Sequence, residues 1–451
     1  MGSRVVIVGG DAGGMTAASD LVKRLGSEDE VVVIEQGEFT SYSACGLPYW
    51  VSGEIDSCDD LIARTPEEHR ENGIDLRLGV TATSLDADAK VLSTTAGDLS
   101  YDHLLIATGA EPVRPDVEGA DAEGIVPITT IPQGQEILRQ LDRKPEKVVV
   151  AGSGFIGTEM AEACLHLGLD TTVISATELP LAQFETVIGD RVHEQMATRQ
   201  IGFQGGRRLT GFRTKDGRVT GVELDDSTLL DADLVILAFG VSPRSSLASD
   251  AGLPLGPKGA IIVDEFQCAD RDRGIWAAGD CTAVRDRQSG ELLHLPLGDH
   301  ANKQGMVAAS GIWAALSGGE PEWSFPGVVQ TFITRFCDLE ISRTGVSSSE
   351  AEKLGWDTVS VSIDTTTWAG HYPGAEPMTV WLLADRTTRQ VRGVQIVGGS
   401  TAGLRIDAAA TAITAGMRVD DLIMLDFAYA PPFSSVWSPL HVAARAAAKL
   451  L

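Results

Sequence analysis

The sequence predicts an α/β protein: two doubly wound parallel units followed by a separate α+β segment. Three observations carry that expectation. Residues 4 to 8 (Arg-Val-Val-Ile-Val) form an apolar run that enters a glycine-rich turn, Gly9 to Gly14, followed by a helical stretch and a second apolar run, Val31 to Ile34. The same order recurs from Val148, with its turn starting at Gly152, 143 positions after Gly9. From about Phe325 the texture changes to alternating strands and then two helical segments, the pattern of an α+β unit rather than a parallel sheet.

With 451 residues and a prior of roughly 150 residues per domain, about three domains are expected. The expected boundaries are 1–115 with 245–324 as one discontinuous domain, 116–244 as the second and 325–451 as the third. A net charge of −27 argues against nucleic acid and against an acidic membrane surface as partners. No run reaches the roughly 18 apolar residues of a membrane span, and no basic leader precedes an apolar signal core. The expectation is a cytoplasmic protein. Six cysteines (Cys45, Cys58, Cys164, Cys268, Cys281, Cys337) form no C-x-x-C pair and no histidine cluster joins them, so neither a metal site nor a disulfide scaffold is expected.

In the first unit a helix is expected from about Met15 to Leu25, and the second strand ends at Glu35. Strand, glycine turn, helix, strand and terminal acid form a Rossmann-like dinucleotide-binding unit. Gly9 allows the tight turn and Gly14 the close helix–strand approach; the helix N-terminus holds a pyrophosphate and Glu35 takes a ribose hydroxyl. Asp11 stands in place of the middle glycine and Ala12 follows it. The second unit has a complete fingerprint, Gly152-Ser153-Gly154-Phe155-Ile156-Gly157, then a helix through His166 and a strand from Thr171 to Ile174. Its strand is followed by Ser175 rather than a carboxylate, which admits a 2′-phosphate and leans towards NADPH over NADH, although no arginine follows directly. Leu104 to Gly109 and Leu234 to Gly240 read as apolar strands ending in glycine. Gly274 to Asp280 reads as a strand leading to an aspartate able to reach a polyhydroxyl chain. In the last segment strands are expected at Val328 to Ile333, Thr358 to Ile363, Met378 to Leu383 and Val391 to Val397, with helices near Ile406–Ala415 and Pro439–Leu451.

The stretch Ser41-Tyr42-Ser43-Ala44-Cys45-Gly46-Leu47-Pro48-Tyr49-Trp50 places a cysteine just before a proline suited to a first helical turn. A thiol at such an entrance meets free N–H groups and the positive dipole end, which favour its thiolate. A small buried hydrophobe is the alternative reading. Cys164 and Cys281 read as packing residues.

As a set, the first fingerprint with Glu35, the element Ala107-Thr108-Gly109, the second fingerprint with Glu159 and the terminal Gly279-Asp280 resemble the pyridine nucleotide–disulfide oxidoreductase family of flavoproteins. The single cysteine in Ser41-x-x-x-Cys45-Gly46-Leu47-Pro48-Tyr49 is similar to the branch of coenzyme A-disulfide reductases, NADH oxidases and NADH peroxidases. Ala12 stands where the oxidases and peroxidases carry a histidine, which places the chain nearest the reductases. Gly370 to Gly374 and Tyr429 to Ser435 are similar to the reductases' C-terminal motifs, while Ala44 replaces a usual asparagine and Phe433 a second tyrosine.

The resemblance implies FAD on the first unit (Gly9, Asp11, Ala12, Gly14, Glu35, Thr108, Gly109, Gly279, Asp280). NADPH or NADH lies on the second (Gly152, Gly154, Phe155, Ile156, Gly157, Glu159, Ser175), and the last segment is a dimerisation domain of a homodimer. Electrons would pass from NAD(P)H through the flavin to Cys45, and on to a low-molecular-weight disulfide or persulfide of coenzyme A type. Coenzyme A itself is a candidate substrate or ligand. Phe155 reads equally as a gate over the flavin or as packing. Tyr429 and Tyr372 are candidate general acids reaching the partner subunit's cysteine; an interface-packing role is the alternative, and the more usual one for Tyr372. Ser41 either bonds the sulfur or caps a turn. Lys23 and Arg24 can meet coenzyme A phosphates or simply complement a helix dipole. Two alternative functions are an NAD(P)H oxidase or quinone reductase passing electrons to oxygen or a quinone, and a reductase of a small electron-transfer protein.

Overall fold

The structure is a computed structural model and describes residues 2–451. Buried valines and isoleucines, stiff at χ1 and fully apolar, form the central strands of two parallel sheets, as expected of sheets covered on both faces. The first sheet runs in the order Cys268–Asp270, Ile275–Ala277, His103–Ile106, Arg4–Val8, Glu30–Glu35, Asp75–Leu78. All its pairings are parallel except the first. Residues beyond position 245 thus pair beside a strand at 103–106, in one sheet with strands of the first eighty residues. The second sheet is wholly parallel, in the order Gly202–Gln204, Asp170–Ile174, Lys147–Ala151, Leu234–Leu237, Ile125–Pro127. Each sheet has a small three-stranded antiparallel sheet beside it in the chain, Ala82–Ser100 and Leu209–Asp231. The crossings between the two parallel sheets, Ala110–Pro112 and Val241–Pro243, pair antiparallel with each other.

The last segment is a five-stranded antiparallel sheet: Phe332–Phe336, Leu339–Gly345, Val391–Gly398, Pro377–Asp385, Thr358–Thr366. Ile406, Ala409 and Ile413 of the helix Ile406–Thr414 pack on it, as do Leu440, Ala443 and Ala447 of Pro439–Ala448. Two details depart from expectation. The first strand starts at Phe332 rather than Val328, because positive φ at Gly327 and Gln330 interrupts the extended backbone, leaving Val328 in an isolated bridge to Asp286. The strand Leu339–Gly345 was not expected; its Glu-Ile-Ser-Arg-Thr pattern is more polar than its burial, and Arg343 is buried through bonds to Glu350 and to the Gly345 carbonyl. No described helix is long and apolar enough to cross a membrane.

Candidate functional site: a cleft shared by two glycine turns and one cysteine

The first helix begins at Ala12, ahead of the expected Met15, and Asp11 is its N-cap without a side-chain bond to the helix. No acidic residue lies in the first turn, so the N-terminal N–H groups keep their attraction for an anion. Gly9 has φ +115° and a Cβ there would overlap the Ala107 carbonyl oxygen. A Cβ on Gly14 would overlap the Gly9 carbonyl oxygen. Both glycines therefore hold the turn against its neighbours by absence of a side chain. Glu35 accepts hydrogen bonds from Gly10 N–H at 2.8 Å and Gly37 N–H at 2.7 Å, which pins its carboxylate at the strand's end. Thr108 and Gly109 line the same cleft. The Gly279 N–H donates to Gln304 Oε1 at 2.8 Å, and the Asp280 carbonyl lies 2.8 Å from His294 Nε2. Burial pushes the Asp280 carboxyl up to about 6. Burial, with the neighbouring Glu35 and Asp280 charges, pushes Asp11 up to about 7, against backbone hydrogen bonds that hold it down.

The second turn repeats the geometry. Gly152 has φ +117° with the Ala238 carbonyl where a Cβ would be, and a Cβ on Gly157 would overlap the Gly152 carbonyl. Gly154 differs: nothing lies within 4 Å of its Cβ position, which leaves the backbone open on the cleft side, as close approach of a pyrophosphate requires. Phe155 opens the helix Phe155–His166 and stacks on Phe332 with centroids 5.3 Å apart, Phe184 lying edge-on at 5.9 Å. Glu159, one turn along, accepts from Thr334 Oγ1 at 2.7 Å. Ile156 is half-buried against the adjoining core. Ser175 Oγ lies 2.7 Å from Ser153 Oγ.

Cys45 sits in a tight 3₁₀ turn, Ala44–Gly46, ahead of the short helix Leu47–Val51 that contains Pro48. Its thiol is exposed to the cleft. The expected lowering of its pKa is not found. Enclosure by the cleft walls pushes the thiol up, and the carboxylates of Glu159, Asp280, Asp11 and Asp299 add to the effect. The physical reason is that the helix has five residues, too few for a strong dipole, and the carboxylates arrive from distant segments. Cys164 and Cys281 are buried.

Cys45, Gly9, Gly10, Glu35, Asp280, Gly154, Phe155, Glu159 and Ser175 all line one continuous cleft of about 2530 Å³. Typical single-ligand pockets are about 300–1,000 Å³, so this one has room for two dinucleotides. The residues present fit both: free helix N-termini, glycine cradles and a pinned ribose-binding acid on the first side, and an open Gly154 backbone on the second.

Other expected residues lie elsewhere. Ser41 has φ +52° and its hydroxyl bonds His69 Nε2 at 2.8 Å, which supports a local role. Tyr372 and Tyr429 are 41% and 48% exposed on the last segment and do not line their own chain's cleft. Arg24 is paired with Asp20 at 2.9 Å and Glu322 at 3.0 Å. Sequence reasoning missed Gln304, His294 and Arg335. Arg335 bonds Glu54 at 3.0 Å, lies 3.4 Å from Glu162 and stands 5.7 Å above the Tyr49 ring, tying the last segment to the cysteine's helix. No local pattern marks it.

Comparison with known proteins agrees with this geometry. The family model described as pyridine nucleotide-disulphide oxidoreductase matches residues 3–305, and that of the family's dimerisation domain matches residues 331–440. The chain is 36% identical to the NAD(P)H coenzyme A polysulfide/persulfide reductase of Pyrococcus horikoshii, over 99% of this chain and 98% of that one. It is 34% identical to an NADH oxidase of Methanocaldococcus jannaschii, over 99% of both chains. The solved structure of an NAD-dependent persulfide reductase from A. fulgidus superimposes with a TM-score of 0.94 at 33% identity, covering 99% of this chain and 83% of that one. The chain belongs to the pyridine nucleotide-disulphide oxidoreductase family.

Proposed function

We propose that this protein is an FAD-dependent NAD(P)H oxidoreductase that uses Cys45 to reduce a low-molecular-weight disulfide or persulfide of coenzyme A type. The observation carrying this reading is that one exposed cysteine lines the same continuous cleft as both glycine cradles. The first cradle, in residues 1–115 and 245–324, takes FAD through Gly9, Gly14, Glu35, Thr108, Gly109 and Asp280. The second, in residues 116–244, takes NAD(P)H. When bound, FAD carries two electrons from the nicotinamide to sulfur. Cys45 as thiolate attacks the substrate's S–S bond, forms a mixed disulfide and releases a thiolate or hydrosulfide. Two electrons from NAD(P)H then return Cys45 and the bound sulfur to the thiol level. Residues 325–451 serve as the dimerisation domain, and in a homodimer Tyr429 and Tyr372 of a second copy act as proton donors for departing thiolates. Six unpaired cysteines fit a reducing, cytoplasmic setting.

The test is anaerobic turnover of the purified protein with coenzyme A disulfide, coenzyme A persulfide and a quinone, each with NADPH and with NADH. Reduction of the sulfur compounds supports the reading. Turnover confined to oxygen or a quinone overturns it.

Glu159 gives a separate prediction. After enclosure by the cleft, its carboxylate is the largest contributor holding the Cys45 thiol up. Glu159→Gln removes that charge, so the thiol pKa falls and the thiolate fraction at pH 8 rises. Alkylation of Cys45 by iodoacetamide at pH 8 is expected to speed up by about 2- to 5-fold, and its pH profile to shift to lower pH. An unchanged profile removes Glu159 from the cysteine's electrostatics.

A further inference from the structure

The two nucleotide units of this chain are built alike, and one difference between them is informative. In the first, the strand Glu30–Glu35 ends at Glu35, and the segment after its neighbour strand crosses back over it. The Val80 N–H donates to the Glu35 carbonyl at 3.0 Å, and the Gly79 N–H to the Gly37 carbonyl at 3.1 Å. In the second, the Arg207 N–H donates to the Ser175 carbonyl at 2.8 Å, and the Gly206 N–H to the Thr177 carbonyl at 3.0 Å. Position for position, Ser175 matches Glu35, Arg207 matches Val80 and Arg208 matches Thr81. The acid expected to take a ribose hydroxyl has become a hydroxyl, and the neutral residue bonded to its carbonyl and the neutral residue after that have become two arginines. Both arginines line the cleft with Ser175 and Thr177.

The hydroxyls here form a chain: Ser153 Oγ to Ser175 Oγ at 2.7 Å, and Ser175 Oγ to Thr177 Oγ1 at 2.9 Å. Arg207 is paired with Asp226 at 2.8 Å. Arg208 has no carboxylate partner among the described residues, its carbonyl being bonded by the Asp225 N–H. The other charge at this edge is Glu178, whose side chain lies over Gly206.

We propose that Arg208, assisted by Arg207, Ser175 and Thr177, binds the 2′-phosphate of NADPH and makes NADPH the preferred electron donor. The proposal rests on the reading that the second glycine turn holds the reducing dinucleotide. A guanidinium facing a phosphate makes charge-assisted, fork-shaped hydrogen bonds, and at the position of the first unit's acid the second carries a neutral hydroxyl. Arg207 and Arg208 come 32 and 33 positions after Ser175, so no search for an arginine directly after the strand detects them.

The experiment is calorimetric titration of the FAD-loaded protein with 2′,5′-ADP and with 5′-AMP. The wild type is expected to bind 2′,5′-ADP at least about tenfold more tightly, with an advantage that shrinks as salt rises. Arg208→Ala should erase most of that advantage while leaving 5′-AMP affinity unchanged, and should raise KM for NADPH with kcat unaltered. Ser175→Glu, which recreates the first unit's acid, should reverse the preference. Equal wild-type affinities, or an Arg208→Ala loss shared equally by both nucleotides, overturn the phosphate pocket alone. Failure of the wild type to bind either nucleotide with FAD in place overturns the underlying placement of the dinucleotide, and the pocket with it.

Discussion

Replacing Cys45 by serine is expected to leave a folded, yellow protein that has lost disulfide and persulfide reduction by at least about 10³-fold. The substitution exchanges one small polar side chain for another in an exposed position of a tight turn, so stability should move by no more than about 0.5 kcal/mol. NAD(P)H should still bleach the flavin absorbance, because neither glycine cradle is altered. A broad long-wavelength band from thiolate beside oxidised flavin should be present in the wild type and missing from the variant. Because the cleft and its carboxylates hold the thiol up, that band should grow as pH rises from 7 to 10 in the wild type. The sign follows from the chemistry: the thiolate is the deprotonated form, so a raised pKa moves its appearance to higher pH. Sulfur-compound turnover that survives the substitution removes Cys45 from the mechanism.

The second large effect is expected at Gly9. Alanine there must adopt φ near +115° and place its methyl on the Ala107 carbonyl oxygen. Backbone strain of about 1–3 kcal/mol adds to overpacking of similar size, and Ala107 sits at the end of the adjacent strand, so the shift propagates into the sheet. Gly9→Ala should lower the melting temperature by roughly 5–15 °C and yield protein with little bound FAD. Gly154→Ala is the control. It has φ −76° and open space at its Cβ position, so the fold and the flavin should be retained while dinucleotide affinity falls. Equal stability of Gly9→Ala and wild type, measured by thermal unfolding, contradicts the steric account of the turn.

Much of this molecule is legible in its residues alone. The glycine turns, their flanking strands and Glu35 follow from constraints acting within about 30 residues: which residues tolerate positive φ, which runs bury on both faces, and where a helix can start. The α+β texture of the last segment was legible for the same reason, apart from the strand Leu339–Gly345, where Ser342, Arg343 and Thr344 are buried although no local pattern marks them as interior. Fold class, the two nucleotide units and the candidate cysteine could all be read from the residues in order.

The surroundings of that cysteine and of the strand Asp170–Ile174 come from long-range packing. Enclosure by the cleft walls, joined by the charges of Glu159, Asp280 and Asp299 from segments more than a hundred residues away, reverses the electrostatic expectation drawn from the short helix after Cys45. Arg207 reaches Ser175 through a backbone hydrogen bond from the segment after a neighbouring strand, and Arg208 follows it on the cleft's lining. Charge and desolvation act through space at ångström range, whereas strand and turn preferences act along the chain, and only the second kind is written locally in the residues.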